Sequence, residues 1–137
     1  MEHVNDHPTG YHFPAEFPRE AFVQKALERH FESLGFQLER HESVDLVCHS
    51  DELKEHWVIE AKGETSQVGL DFRTGLGQLF QHMSSPSILY GIAIPETPRF
   101  LLQCRCVSEW VRRAIHLHWL IVHSDGSIRI VSPDEVI

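Results

Sequence analysis

A carboxylate and an ammonium group stand two residues apart near the end of an apolar segment, His56–Lys62. Side chains alternate between the two faces of an extended strand, so Glu60 and Lys62 share one face with Val58. Charged groups in such a place need an opposite charge or a metal ion, because burial without a partner is costly. The pattern therefore predicts a polar centre at the end of this strand.

A second carboxylate, Asp45, precedes this segment within Ser43–Val47, and fourteen residues separate it from Glu60. That distance allows a strand, a turn and a return strand, so a hairpin would set the two carboxylates side by side. Adjacent carboxylates repel each other unless a cation lies between them, and hard oxygen ligands with open water positions suit Mg²⁺ or Mn²⁺. Lys62 would orient an attacking water, and the backbone carbonyl of Ala61 could supply another ligand.

Three polar residues on predicted helices have roles that the sequence leaves open. Glu20 falls on the core-facing stripe of the first helix, where it either approaches the metal site or simply benefits from the helix dipole in the first turn. Gln78 lies away from the apolar face of the second helix, and His82 follows one turn later. Both could contact substrate or brace Lys62. Both could also form an ordinary polar helix edge, which is the preferred interpretation for His82.

The elements that must position these groups follow from hydrophobic periodicity. Residues 17–137 are predicted to form a single domain with the order α-β-β-β-α-β-α-β-β, a three-layer α/β arrangement around a central mixed sheet. Residues 1–16 are predicted to be a flexible arm. The first helix runs from Pro18 to the stop at Gly35, with an apolar stripe that ends at Leu34. The other predicted elements are strands at 37–41, 44–49, 56–62 and 88–94, helices at 71–83 and within 101–116, and a hairpin of 119–122 with 128–131.

Asp45 and Glu60-Ala61-Lys62 together resemble the core motif of the PD-(D/E)XK nuclease superfamily, which has the restriction-endonuclease-like fold. The context is similar too, because that family places an acidic residue on its first helix, as in Arg19-Glu20, and a Gly-x-Gln-like element on the next helix, as in Leu76-Gly77-Gln78. The resemblance covers about residues 17–95. Its nearest branch is the small archaeal Holliday-junction resolvases and Mrr-like nucleases. One departure is Val44, which stands where the motif has proline.

The resemblance implies a fold and an activity. The fold is a three-layer α-β-α restriction-endonuclease-like core in the order αβββαβ, extended by a third helix and a C-terminal hairpin. The activity is that of an endonuclease that hydrolyses DNA, in preference to RNA, with Mg²⁺ or with Mn²⁺ as a substitute. The implied metal ligands are Asp45, Glu60 and the carbonyl of Ala61, with Glu20 as a ligand of a second metal or of water. The implied catalytic set is Glu20, Asp45, Glu60, Lys62 and Gln78.

The charge and composition of the chain limit the kinds of partner that it can bind. The net charge of −8 opposes binding to a phosphate backbone, so we expect a homodimer or a subunit of a larger complex to supply part of the grip. The same charge favours an alternative, a catalytically inactive nuclease-fold subunit that binds or regulates. Arg112 and Arg113 either grip phosphates or form a solvated helix face. His3, His7 and His12 are expected on a solvated tail rather than around a metal. A polar start and short apolar runs predict a cytoplasmic protein without membrane spans.

Overall fold

The fold comes from a computed structural model, which describes residues 15–137. The arm predicted for residues 1–16 lies outside this range except for its last two residues, and so do His3, His7 and His12. The elements follow in the order α1 (Glu20–Ser33), β1 (Gln37–Glu39), β2 (Leu46–Ser50), β3 (Glu55–Ala61), α2 (Val68–Phe80), β4 (Leu89–Pro95), α3 (Pro98–Arg105), α4 (Glu109–Ala114), β5 (Leu117–Val122) and β6 (Ile128–Val131).

The six strands form one mixed sheet in which sequence order equals spatial order, β1 to β6. The outer pairs β1/β2, β2/β3 and β5/β6 are antiparallel, whereas β3/β4 and β4/β5 are parallel. The two parallel connections step across the sheet in the same direction. Because such crossovers are right-handed, their helices must cover the same face. This rule places α2, α3 and α4 together and leaves the other face to α1.

Burial confirms the predicted three layers. One apolar cluster joins α1 to one face of the sheet and includes Phe31 of α1 and Trp57 of β3. A second cluster joins α2 and α3 to the opposite face and includes Phe72, Phe100 and Ile92. Alternate residues of β3 therefore face different layers, as the period of two requires. No helix within residues 15–137 is long and apolar enough to cross a bilayer.

The first helix begins and ends close to the predicted positions. Gly35 has a φ of +84°, the left-handed conformation that glycine adopts at least cost after a helix. The stripe prediction was wrong at its last member, because Leu34 is the residue that caps the helix and remains 50% exposed. Glu20 is the first helical residue and is exposed rather than buried in the stripe.

Two later helices differ from the predictions. The second helix begins at Val68 and ends at Phe80, three residues earlier than predicted at each end. The segment predicted as one helix within 101–116 forms two short helices instead. The first of these begins at Pro98, which suits a first helical position. The break at residues 106–108 ends with Ser108 in an extended conformation, and this turns the chain towards β5.

Arg112 is buried, contrary to both sequence interpretations of this residue. Its side chain is 2% exposed and its guanidinium lies 5.1 Å from the ring centre of Trp119. It donates hydrogen bonds to the backbone carbonyls of Ser132 (2.7 Å) and Glu135 (2.8 Å). A planar guanidinium can satisfy several carbonyls at once, so Arg112 fixes the C-terminal residues against α4 rather than contacting solvent.

Candidate functional site

The β2–β3 hairpin sets Asp45 and Glu60 opposite each other. The antiparallel register pairs Leu46 with Ile59, so the next step outward pairs Asp45 with Glu60. Residues directly opposite on an antiparallel pair project to the same face with Cβ atoms about 5 Å apart. This is the arrangement that the sequence spacing predicts, and it lies on the sheet face covered by α2.

Two hydrogen bonds fix these carboxylates to the partner strand. The backbone N–H of Asp45 donates to Oε1 of Glu60 over 3.1 Å. In return, the backbone N–H of Ala61 donates to Oδ2 of Asp45 over 2.8 Å. Each acid is therefore held by the strand that carries the other acid. Because the N–H and C=O groups of one residue lie on the same edge of a strand, the carbonyl of Ala61 also faces the Asp45 side.

Burial makes this pair electrostatically unusual. Glu60 is 3% exposed and Asp45 is half-buried. Burial, followed by the charge of Asp45, raises the pKa of Glu60 from 4.5 to about 7, although Lys62 acts in the opposite direction. A buried carboxyl with a raised pKa beside a second acid is the condition in which a bound cation is most favourable.

Lys62 follows directly after β3 and is held by both the sheet and α2. Its backbone N–H donates to the carbonyl of Ala93 over 2.9 Å. Its aliphatic stem runs past Gly75 of α2, where an added Cβ atom would lie 3.0 Å from Cε and 3.3 Å from Cγ of Lys62. The glycine thus leaves room for the lysine stem. Its ammonium charge offsets part of the rise in the pKa of Glu60 and of Glu20 that burial and the charge of Asp45 cause.

Glu20 and Gln24 reach the site from the first turns of α1. Packing around the Glu20 carboxyl group, followed by the charge of Asp45, raises the pKa of Glu20. Gln24, one turn further on, donates to the backbone carbonyl of Asp45 over 2.9 Å and to Oε2 of Glu28 over 3.0 Å. Gln24 was missed by the sequence analysis. Its position four residues after Glu20, on the same helix face, was the available signal.

The start of α1 is fixed against the end of β3 through Gly63. A Cβ atom on Gly63 would lie 2.0 Å from the backbone nitrogen and 2.3 Å from the Cα of Glu20. Only glycine allows this approach. The backbone N–H of Glu64 also donates to the carbonyl of Pro18 over 2.8 Å. These contacts determine how far Glu20 stands from the paired carboxylates.

All five predicted catalytic residues line one groove of about 1120 Å³. Glu20 and Gln24 come from α1, Asp45 from the entry to β2, Glu60 and Lys62 from the end of β3, and Gln78 from α2. The Oε1 atom of Gln78 is buried and has no hydrogen-bond partner. His82 also lines the groove, where its ring contacts that of His41 at 5.5 Å between centroids.

The donor set fits Mg²⁺ or Mn²⁺ with few protein ligands. Among residues 15–137, no three or more His, Cys, Asp or Glu side chains form a group that could hold a metal ion. Mg²⁺ commonly uses one or two carboxylates and keeps several waters. Asp45, Glu60 and the carbonyl of Ala61 supply such a set of oxygen atoms. Direct ligation by Glu20 remains a prediction, because Glu20 shares the groove without completing a three-acid group.

The sheet, its two helical layers and the site at the open end of the β2–β3 hairpin define an α/β protein consistent with a restriction-endonuclease-like core. No protein-family model and no curated protein matches the chain. Two solved structures are similar in fold. An XisH family protein from Nostoc punctiforme PCC 73102 has a TM-score of 0.58 and 16% identity, over 80% of this chain and 98% of that chain.

The second similar structure is a FdxN element excision controlling factor protein from Anabaena variabilis. It has a TM-score of 0.55 and 13% identity, again over 80% of this chain and 98% of that chain. At such identities the likeness establishes a shared fold only.

Proposed function

We propose that this chain is a divalent-metal-dependent nuclease of the PD-(D/E)XK type, which hydrolyses phosphodiester bonds in DNA in preference to RNA. The observation that carries the proposal is the reciprocal attachment of Asp45 and Glu60 across the hairpin, with Lys62 beside them. One structural neighbour is named as a factor that controls excision of the FdxN element, which agrees with a role on DNA.

Asp45, Glu60 and the carbonyl of Ala61 would hold Mg²⁺, or Mn²⁺ as a substitute, together with bound waters. When bound there, the ion would lower the pKa of a coordinated water and offset negative charge on the phosphate. The attachment of each carboxylate to a backbone N–H restricts its rotation, so the ligand positions are formed before substrate arrives.

Lys62, Glu20 and Gln78 act on the water and the substrate. The Lys62 ammonium has three donors, which can orient the attacking water and stabilise charge on the phosphate oxygens. The raised pKa of Glu20 makes its carboxylate a better proton acceptor near neutral pH. Gln78 lines the same groove, and its buried Oε1 has no partner, so it could accept a hydrogen bond from Lys62.

One observation favours a second candidate, a catalytically inactive nuclease-fold subunit that binds or regulates. The chain carries a net charge of −8, and the groove itself is lined by Glu28, Glu32, Glu39 and Glu42 in addition to the acids of the site. Such a groove repels phosphate unless cations or a partner offset the charge. For either function, we expect the chain to work as a homodimer or within a larger complex.

The test is cleavage by the purified chain on a panel of linear duplex, supercoiled duplex, single-stranded DNA, four-way junction and RNA. Each substrate is incubated with Mg²⁺, with Mn²⁺ or with a chelator. The proposal predicts cleavage that needs the metal, favours DNA, and falls by about 10²-fold or more in Asp45→Asn and in Lys62→Ala.

The matched controls are Asp51→Asn and Lys54→Asn, which make similar charge changes in the exposed turn at the far end of the same hairpin. Asparagine also tolerates the positive φ of Lys54. Both controls should cut like the wild type. If no substrate is cut with either metal, even at a protein concentration high enough for a dimer to form, the inactive-subunit candidate replaces the nuclease.

A further inference from the structure

Charge is distributed unevenly on the two sides of the site. Helices α2 and α3 together carry three arginines and one acid, Asp71, in a chain whose net charge is −8. The carboxylate of Asp71 accepts a hydrogen bond from the Thr65 hydroxyl. The groove itself is acidic where α1 and residues 39–42 line it, and the three arginines lie outside it. An approaching polyanion is therefore attracted to the α2–α3 side and repelled from the α1 side.

Arg99 connects this side to the catalytic loop. Its side chain is exposed, and its guanidinium donates to the carbonyls of Thr65 (3.3 Å) and Ser66 (3.2 Å). These residues belong to the loop that leads from Lys62 to α2. A guanidinium has five N–H donors, so these two contacts fix its position and leave donors for a ligand. Arg99 is thus a positive charge fixed against the loop at Thr65 and Ser66, which lie three and four residues after Lys62.

Arg73 and Arg105 extend the positive charge along the two helices. Both side chains are exposed. A Cβ atom on Gly69 would lie 3.4 Å from Nη1 of Arg73 and 3.4 Å from Nε2 of Gln103, so the Arg73 guanidinium lies where α2 meets α3. Arg105 stands six residues after Arg99 on α3. This is about 9 Å of helix rise and about 120° around the helix, so Arg99 and Arg105 lie on the two flanks of the exposed side of α3.

From these observations we infer that Arg73, Arg99 and Arg105, on the exposed side of α2 and α3 and with Gln103 beside Arg73, form an arginine seam that binds the sugar–phosphate backbone of DNA beside the scissile bond. The inference rests on the proposed function and adds the surface and direction of substrate binding. DNA would run from the site over α2 and α3 and would avoid the acidic wall of α1. Contacts of this kind position the duplex without reading its sequence.

The test is equilibrium binding of a short fluorescent DNA duplex by anisotropy, in chelator so that no cleavage occurs, over a range of salt concentrations. The triple variant Arg73→Gln, Arg99→Gln, Arg105→Gln should bind at least tenfold more weakly. Its slope of log affinity against log salt should be shallower by about 2 to 3, because each lost phosphate contact removes about 0.9. Lys54→Asn, a charge removed at the far end of the sheet, should leave affinity and slope unchanged.

The single variant Arg105→Gln tests whether weaker binding comes only from a disturbed loop after Lys62. Arg105 takes no part in the contacts of Arg99 with Thr65 and Ser66 in that loop. It should lower the slope by about 1 with an unchanged melting temperature. The inference is overturned if the wild type binds no duplex at low salt, or if the triple variant keeps the wild-type affinity and slope. Seam variants that lose binding while the wild type cuts no substrate would support the seam and refute the nuclease. Cleavage by the wild type, together with unaltered DNA binding by the triple variant, would support the nuclease and refute the seam.

Discussion

The backbone N–H of Asp45 donates to the Glu60 carboxylate over 3.1 Å, and the Asp45 carboxylate accepts from the N–H of Ala61 over 2.8 Å. The two acids are therefore close, on one face of the sheet, and unable to separate without breaking the end of the hairpin. Their proximity leaves an electrostatic cost that a proton or a cation must relieve. Protonation of the pair and binding of a cation by the pair can each be measured.

The first prediction concerns pH and stability without metal. The pKa of Glu60 is raised from 4.5 to about 7 in the folded chain, so between these values the folded state holds a proton that the unfolded state has lost. The contribution of Glu60 to stability therefore falls as pH rises from 4.5 to about 7. Glu60→Gln should remove this loss and be more stable than the wild type above pH 7.

The readout is the difference in melting temperature between wild type and Glu60→Gln across this pH range, in chelator. A difference is needed because burial lowers the pKa of His30 and of His118, and their contributions to stability rise with pH instead. The two proteins should diverge as pH increases. Parallel profiles would show that Glu60 ionises at an ordinary pKa.

Sequence pattern was sufficient to predict the β2–β3 hairpin that pairs the two acids, because strand alternation and a separation of fourteen residues leave few ways to arrange Asp45 and Glu60. It was also sufficient for the two helical layers, since a nearly continuous apolar segment such as β4 must be covered on both faces. These features follow from the spacing of apolar residues within each strand or helix and from general rules of strand connection.

Other features depend on contacts between segments that are distant in the sequence. The spacing of apolar residues along the chain therefore does not predict them. The burial of Arg112 follows from carbonyl groups of residues 131–135, which face α4 only after the hairpin has folded. The close approach of Gly63 to Glu20 joins two segments more than forty residues apart. The role of Gln24 likewise appears only when α1 packs above Asp45.

The second prediction concerns the space for the lysine stem. Gly75→Ala places a methyl group 3.0 Å from Cε and 3.3 Å from Cγ of Lys62, so the lysine must move by a few tenths of an ångström. We expect a loss of cleavage rate of about 10-fold or more with unchanged Mn²⁺ affinity. Stability should hold or rise, because alanine favours a helix over glycine by up to about 1 kcal/mol.

Gly77→Ala is the matched control, because a Cβ atom there meets nothing within 4 Å on the same helix. It should gain similar stability and keep full activity. Equal rates in both variants would mean that the position of Lys62 against α2 is unimportant for catalysis.

The third prediction concerns the junction between α1 and β3. Gly63→Ala would force a methyl group to within 2.0 Å of the backbone nitrogen of Glu20, and backbone atoms cannot yield as a flexible side chain does. The helix start must shift, at a cost of about 3 kcal/mol or more. Chemical denaturation should show this loss, and a variant as stable as the wild type would contradict the packing described at this junction.

The most direct test of the account is calorimetric titration of the chain with Mn²⁺ at neutral pH, since it needs no knowledge of the substrate. We expect a single site in the wild type whose affinity falls by about tenfold or more, or about 1.4 kcal/mol, in Asp45→Asn. The affinity should be unchanged in Asp51→Asn and in Lys62→Ala. Melting temperature should follow, rising with Mn²⁺ only where the site is intact. Mn²⁺ binding that survives in Asp45→Asn, or no Mn²⁺ binding by the wild type, would contradict the claim that Asp45 and Glu60 form a metal site.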